Sequence, residues 1–264
     1  MEKELKAFIK KNYQRKYGSL KDFEKNYQLY VSLPIFKANE NIHEKLTDYS
    51  QTREELADIE KKYVNDKQQL KDEVHWIMRM ATQYYLIKAF EAMKINMDDE
   101  NIRENALGKG TPGRIAKMWC GDNPEDITEL GSGRWNKQPY VSCFPNTNNN
   151  HDIITKEVEI VSNCSHHFLP FTSLFGGKAV ISYIPQDYIL GISKLQRLVS
   201  WASRRFWLQE DLTQYIGETI KRISGSNDVY VRLENIKHGC ETFRGIESQQ
   251  GSLTTEFKSG IFNK

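Results

Sequence analysis

The spacing of hydrophobic residues changes along this chain from a helical period to an extended one and back. From Val74 the apolar residues recur every three to four positions, as on one face of a helix that ends near Met93. Residues 156–161 instead alternate between apolar and polar side chains, as half-buried strands do, and residues 178–184 have the pattern of a second strand that Pro185 ends. These two segments predict a pair of antiparallel strands.

Helical spacing returns in residues 193–223, with a break near 206–208, and residues 229–233 alternate again. An earlier helix is predicted to start at Thr111, which can cap it, with Pro112 in the first helical position. The order is helices, two strands, two helices and a further strand. That order predicts an α+β fold with an antiparallel sheet.

The first 73 residues are rich in charged and amide side chains, and part of residues 52–70 has the pattern of an amphipathic helix. A chain of 264 residues can bury one good core and carry an appendage. We therefore predict a charged helical extension of unknown role in residues 1–73 and one main domain in residues 74–264.

Composition excludes several classes of protein. No apolar run approaches the roughly 20 residues of a membrane span, and the N-terminus lacks the apolar stretch of a secretory signal. A cytoplasmic protein without a membrane partner is expected. The 37 basic and 35 acidic residues give no overall field for nucleic acid. The four cysteines are widely spread, unlike those of a disulfide scaffold, so free thiols are expected.

Two short segments combine a thiol with an imidazole, and each follows a predicted strand. They are Cys164-Ser165-His166-His167 and His238-Gly239-Cys240. Thiolate and imidazole are ligands that zinc prefers. Because neighbouring residues of an extended chain point to opposite sides, only one of His166 and His167 is expected to bind. Three protein ligands would leave a fourth position open, which is typical of a catalytic zinc.

Lys194 and Arg197 lie three residues apart on a predicted helix, near its N-terminal end, where free amides and the helix dipole also favour an anion. This placement predicts a phosphate site. The alternative is a solvated helix face, as many basic residues form. The corresponding alternative for Glu210 is an ordinary acidic residue in the first turn of a helix.

With these motifs the chain resembles the GTP cyclohydrolase I family, whose metal motif is Cys-Glu-His-His followed later by His-x-Cys. Ser165 stands where that family usually has Glu. The resemblance extends over roughly residues 77–264 and includes further ordered segments. They are Thr111-Pro112-Gly113-Arg114-Ile115-Ala116-Lys117-Met118, Gly191-Ile192-Ser193-Lys194-Leu195-Gln196-Arg197, Gln209-Glu210-Asp211-Leu212-Thr213 and Arg244-Gly245-Ile246.

The resemblance implies a zinc-dependent enzyme that opens the imidazole ring of GTP by hydrolysis, releases formate and forms 7,8-dihydroneopterin triphosphate. This product would enter folate, biopterin or 7-deazaguanine synthesis. The resemblance also implies the tunnelling fold, an antiparallel sheet with helices packed on one face. Subunits of that fold assemble into a toroid, usually a decamer, with active sites between protomers.

The same resemblance implies roles for individual residues. Cys164, His167 and Cys240 would hold zinc, whereas His166 and His238 would transfer protons.

Substrate contacts are also implied. Glu210 would anchor guanine through its N–H edge, and Ser193 and Gln209 would contact the ribose or the ring-opened intermediate. The triphosphate would bind basic residues, namely Arg114, Lys194, Arg197 and Arg244.

Two other functions stay open. One is a different tunnelling-fold enzyme that acts on a pterin or a deazaguanine. The other is a catalytically silent, zinc-stabilised module whose basic N-terminus binds a partner or nucleic acid. Metal content, together with formate release from GTP, separates the three hypotheses.

Overall fold

The computed structural model describes residues 2–33, 35, 37–41, 72–103, 110–123, 126, 128–136, 138–243 and 250–263. These residues divide into two compact units. The first lies within Met1–Phe36 and Glu44–Trp135, and the second within Lys37–His43 and Asn136–Lys264. The helix predicted in residues 52–70 lies outside the described residues. The predicted functional boundary after residue 73 stays a prediction.

The described part of the first unit is largely helical. Its helices are α1 (Glu2–Tyr17), α2 (Phe23–Ser32), α3 (Asp72–Ala92) and α4 (Gly110–Cys120). The predicted helices beginning near Val74 and Thr111 are thereby confirmed. Buried aromatic residues of α1, α2 and α3, among them Tyr13, Tyr27 and Trp76, form one core.

The second unit contains the strands. They are β1 (Cys143–Pro145), β2 (Ile154–Val158), β3 (Val161–Cys164), β4 (Pro170–Thr172), β5 (Lys178–Tyr183), β6 (Tyr188–Leu190), β7 (Phe206–Trp207), β8 (Val229–His238) and β9 (Leu253–Lys258). Its helices are α5 (Ile192–Ser203), α6 (Gln209–Ser224) and the short α7 (Gly239–Thr242). The predicted pair of helices, with a break between them, is confirmed, and the break itself contains a short strand.

Within the described residues, one sheet runs in the order β2-β5-β8-β4-β3-β7, and β9 pairs with the other edge of β8. Strands β1 and β6 form a separate pair. All pairs are antiparallel except β3 with β7, which is parallel. The predicted α+β class with an antiparallel sheet is confirmed, and the parallel pair is an addition to it.

Helices α5 and α6 share one hydrophobic core with this sheet. Leu198 and Ile216 of the helices and Val231 and Ile181 of the strands are buried in it. From Val229 to Glu234, strand β8 alternates between buried and half-buried residues, as the sequence pattern of residues 229–233 predicts. In the part of the chain that the structure describes, no helix is both long and apolar enough to cross a membrane.

The strand predicted in residues 156–161 is two strands, with a break at Glu159 and Ile160. The break has a local cause in α5. The Glu159 N–H donates to Gln196 Oε1, and Gln196 Nε2 donates back to the Glu159 carbonyl, each at 3.0 Å. Because the Gln196 side chain bonds both the N–H and the carbonyl of Glu159, these backbone groups do not pair with a neighbouring strand, and β3 begins only at Val161.

Candidate metal centre and active site

The Cys-His segment forms a tight turn between β3 and β4. The Cys164 N–H donates to the Leu169 carbonyl at 2.8 Å, and the Phe168 N–H donates to the Cys164 carbonyl at 2.9 Å. Phe168 has a φ of +54°, which is unfavourable for a bulky side chain. Its ring packs edge-on against Phe206, with centroids 4.6 Å apart. Backbone bonds and this ring contact thus hold a strained turn.

Strand β4 brings this turn to the end of β8, because β4 pairs with β3 at one edge and with β8 at the other. Phe171 lies opposite His238, and Cys240 follows in α7. The ligand atoms of Cys164, His167 and Cys240 all lie within 4.8 Å of one another. The structure therefore brings together the three residues to which the sequence assigned the metal.

Gly239, between His238 and Cys240, lies directly against the turn. A Cβ at this position would meet the Pro170 carbonyl oxygen at 3.0 Å and the Leu169 Cβ at 3.3 Å. A larger residue would have to push the chain away from the turn. The glycine of the His-Gly-Cys motif therefore permits the close approach on which the cluster depends.

The donor set fits a transition metal, and zinc in particular. Burial raises the pKa of the Cys240 thiol, and the neighbouring Cys164 thiol raises it further. Without a cation the thiol of Cys240 therefore stays protonated, whereas a bound cation would favour the thiolate. One imidazole and two thiols leave the fourth tetrahedral position free for water or substrate.

The two adjacent histidines have different surroundings. Their rings are nearly perpendicular, at 85°, with centroids 6.2 Å apart, and both side chains are exposed. Only His167 groups with the two cysteines among the described residues. This agrees with the expectation that one histidine of the pair would face the metal and the other would not.

His238 is held between a ring and an amide. Its imidazole stacks on Phe171, with centroids 4.7 Å apart and planes 11° from parallel, and its Nε2 lies 2.8 Å from Gln209 Oε1. Burial lowers the pKa of His238, against the charges of Glu210 and Glu241, which raise it. The neutral imidazole is thus favoured near pH 7, so that it can accept a proton.

The first two residues of α6 lie in opposite environments. Gln209 is 1% exposed and faces His238, whereas Glu210 is exposed. The N-cap residue of this helix, Leu208, makes no side-chain capping bond. The structure thus leaves the Glu210 carboxylate accessible to a ligand. The substrate contact predicted for Gln209 stays a prediction.

The N-terminal end of α5 carries the residues predicted to bind ribose and phosphate. Ser193 and Arg197 are exposed, and Lys194 is half-buried. Gly191 precedes the helix without a side-chain cap, so the first amides can take an anion. Arg114 lies in the first unit, on α4, where its guanidinium donates to the Thr111 hydroxyl at 3.2 Å. The remaining predicted residue, Arg244, lies outside the described residues.

Two residues beside His238 and Gln209, Thr213 and Thr255, were not predicted from the sequence. Their hydroxyl groups are 2.6 Å apart, and Thr255 Oγ1 also accepts a hydrogen bond from Gln209 Nε2 at 2.9 Å. Thr213 lies one helical turn after Gln209, on the same face, and this spacing was the available signal. Nothing in the sequence showed that Thr255, on β9, would meet them.

The fold and the cluster together define a class, an α+β protein with a Cys/His/Cys cluster that could hold a metal ion. A family model described as GTP cyclohydrolase I matches residues 87–264. A GTP cyclohydrolase 1 from Clostridium botulinum (strain Kyoto / Type A2) is 35% identical over 188 residues, covering 67% of this chain and 90% of that protein. One from Wigglesworthia glossinidia brevipalpis is 31% identical over 194 residues, covering 73% of this chain and 79% of that protein.

The chain belongs to the GTP cyclohydrolase I family. The family resemblance expected from the motifs is thereby confirmed, and with it the class of enzyme, a hydrolase. Among solved structures, an archaeosine synthase QueF-Like in the apo form is 18% identical and covers 41% of this chain and 93% of that one. Its TM-score of 0.32 makes the likeness too partial to support a conclusion.

Proposed function

We propose that this chain opens the imidazole ring of GTP in a zinc-dependent hydrolysis, with release of formate and formation of 7,8-dihydroneopterin triphosphate. The observation that carries the proposal is the convergence of the ligand atoms of Cys164, His167 and Cys240 within 4.8 Å of one another. The half-buried His238 lies two residues before Cys240. Zinc, when bound by these residues, supplies Lewis-acid activation of water at neutral pH. The chain's own side chains supply binding, orientation and proton transfer.

Proton transfer is assigned to His166 and His238. Ring opening breaks a carbon–nitrogen bond of the guanine imidazole ring, and the released nitrogen must receive a proton. The later sugar rearrangement requires protons to be removed and returned. An imidazole with a pKa near or below neutrality can do both. The exposed ring of His166 beside His167 and the neutral ring of His238 are both placed on chain segments that carry the metal ligands.

Guanine recognition is assigned to Glu210. A carboxylate can accept hydrogen bonds from both the N1–H and the 2-amino group of guanine, whereas adenine offers no such pair on that edge. Its position in the first turn of α6, one residue after the contact of Gln209 with His238, supports this role. Ser193 is assigned to the ribose or to the ring-opened intermediate.

The triphosphate is assigned to the uncapped N-terminal end of α5, with its basic residues Lys194 and Arg197. Free amides, the helix dipole and two basic side chains act on an anion in the same direction. Arg114 and Arg244 would supply further positive charge.

We also propose that the chain acts as a cytoplasmic homo-oligomer, a decamer with active sites between protomers, as the resemblance implies. Large apolar side chains are exposed on the single chain, among them Tyr140 at 75%, Ile192 at 68% and Phe144 at 58%. Clusters of such residues are typical of surfaces that a partner covers. The four cysteines are free thiols, which suits a reducing compartment.

The test compares Cys240→Ser with Cys143→Ser, which changes another half-buried cysteine. Metal analysis is expected to find one zinc per wild-type chain, and the same in Cys143→Ser. Cys240→Ser should lose most of its zinc and its formate release from GTP, because serine is a poor zinc ligand. Wild-type protein without zinc would contradict the metal assignment. Zinc-loaded wild type that releases no formate would instead favour the silent module.

A further inference from the structure

Behind His238, residues from α6 and β9 form a polar network. Gln209 and Thr213 are each 1% exposed, and Thr255 is half-buried. Gln209 Nε2 donates to Thr255 Oγ1 at 2.9 Å and to the Leu253 carbonyl at 3.2 Å. Gln209 Oε1 lies 2.8 Å from His238 Nε2. The amide thus connects strand β9 to the imidazole.

The partners of Gln209 determine which way its amide points. The Leu253 carbonyl can only accept a hydrogen bond, so the NH2 group of Gln209 must be the end that faces it. The amide oxygen therefore faces His238. An amide oxygen can only accept, and His238 Nε2 must consequently carry the proton in this contact.

The hydroxyl groups are fixed by the same reasoning. Thr213 Oγ1 donates its single proton to the main-chain carbonyl of Gln209 at 2.8 Å. It must therefore accept in its 2.6 Å contact with Thr255, whose hydroxyl donates to it. Thr255 then has lone pairs left for the amide of Gln209. The donor and the acceptor of each hydrogen bond in the network are thereby assigned.

With Nε2 protonated and bound to Gln209, the nitrogen of neutral His238 that can exchange a proton with a ligand is Nδ1. The ring plane is fixed separately by its stacking on Phe171. We propose that Gln209 and Thr255 are positioning residues, which hold His238 in the Nε2–H tautomer and direct Nδ1 to the reaction. For Gln209 this is an alternative to the direct substrate contact implied by the resemblance. The proposal rests on the proton-transfer role proposed for His238.

The first test uses Thr255→Val, which replaces the hydroxyl with a methyl group of similar size. It removes the nearest of the three acceptors of the Gln209 NH2 group and leaves the Leu253 and Leu233 carbonyls, at 3.2 and 3.5 Å. The expected result is a kcat at least about 10-fold lower, against the roughly 10²- to 10⁴-fold that a positioned acid or base contributes. KM for GTP and zinc content should stay unchanged. Thr255→Ser keeps the hydroxyl and should restore most of kcat.

Thr254→Val is the matched control. It makes the same change one residue earlier on β9, where the hydroxyl is exposed and accepts from the Asn235 N–H at 3.1 Å. It should behave like the wild type. If Thr255→Val also keeps the wild-type kcat, or if Thr255→Ser fails to rescue it, the positioning role is wrong. If Thr255→Val raises KM with kcat unchanged, the network serves substrate binding instead.

A second readout does not need turnover. In the zinc-loaded protein with ¹⁵N-labelled histidine, a difference spectrum against His238→Asn isolates the two nitrogen signals of His238. The wild type should show the Nε2–H tautomer alone, and Thr255→Val should show a measurable Nδ1–H population. A wild-type spectrum with the Nδ1–H tautomer would overturn the inference, whether or not the protein releases formate. A correct spectrum without formate release would instead overturn the proposed function.

Discussion

Gln209 and Glu210 are sequence neighbours at the start of α6 that lie in different environments, because a helix turns by about 100° per residue and directs their side chains to different sides. Gln209 faces the sheet and contacts His238. Glu210 is exposed, as is Asp211 after it. This adjacent pair of acidic residues allows the guanine assignment to be tested with little change to the helix.

Glu210→Gln should damage GTP binding severely while zinc content stays intact. The change removes one partner of a charge-assisted pair in the complex, which costs about 2–5 kcal/mol and corresponds to at least about 30-fold in KM. Asp211→Asn removes the same charge one residue away and should stay near the wild type. Steady-state kinetics with GTP measure both. Equal KM values for GTP in the two variants would mean that Glu210 is only an acidic residue of the first helical turn.

At this scale, ligand chemistry predicted that the two thiol–imidazole segments would meet, and the family resemblance indicated which histidine would take part. Two thiol–imidazole pairs in one chain favour a single metal site, and Cys164, His167 and Cys240 do converge. The tautomer network could not be predicted in the same way. It depends on Thr255, whose contacts are set by how β9 pairs with β8, and an isolated threonine has no distinctive spacing.

Among the elements, β9 contributes Thr255 to the network behind His238, and this strand was not predicted from the sequence. Its contact with α6 depends on Gly217 in the middle of that helix. A Cβ at Gly217 would overlap the ring of Phe257, which lies two residues after Thr255 on β9. Short strands such as β4, β6 and β7 were also not predicted, since three residues or fewer cannot establish an alternating pattern.

Gly217→Ala should therefore destabilise the protein, although alanine favours an exposed helix by about 1 kcal/mol over glycine. The added methyl group would force Phe257 and β9 away, at a cost of about 1–3 kcal/mol. In a Phe257→Ala background the same change should be neutral or stabilising, because the space is free. A double-mutant cycle from denaturant unfolding measures the coupling. Additive effects would show that Phe257 does not restrict residue 217.

At the scale of the whole molecule, the compact units of the described residues do not coincide with the region that the family model matches. The family match begins at residue 87, inside α3, and α3 shares its core with α1 and α2. The first compact unit therefore combines residues before the matched region with residues inside it. The charged composition of residues 1–73 concealed the core that α1 and α2 share with α3, because the buried aromatic residues of α1 and α2 are few and separated by Lys, Glu and Asn.

The first unit contains a buried histidine, His75, whose titration should make the stability of the protein depend on pH. It is 1% exposed, and its Nε2–H donates to the Cys120 carbonyl at the end of α4, at 2.7 Å. Among the described residues its Nδ1 has no hydrogen-bond partner. Burial lowers the pKa of His75 to about 4, the bond to the Cys120 carbonyl opposes that shift, and the charge of Arg79 adds to it.

Because the unfolded chain protonates this histidine near pH 6.5 and the folded chain only near pH 4, the unfolded state binds more protons between these values. The contribution to the free energy of unfolding is therefore fully present above about pH 6.5 and is lost as the pH falls towards 4. Between pH 7 and pH 5 the expected loss is about 2 kcal/mol. His75→Gln keeps an N–H donor for Cys120 and does not titrate, so its stability should fall by about 2 kcal/mol less over the same interval. Urea unfolding at both pH values, followed by tryptophan fluorescence at equal protein concentration, measures the difference. Parallel losses in the two proteins would mean that His75 already titrates in the folded state as it does in the unfolded chain.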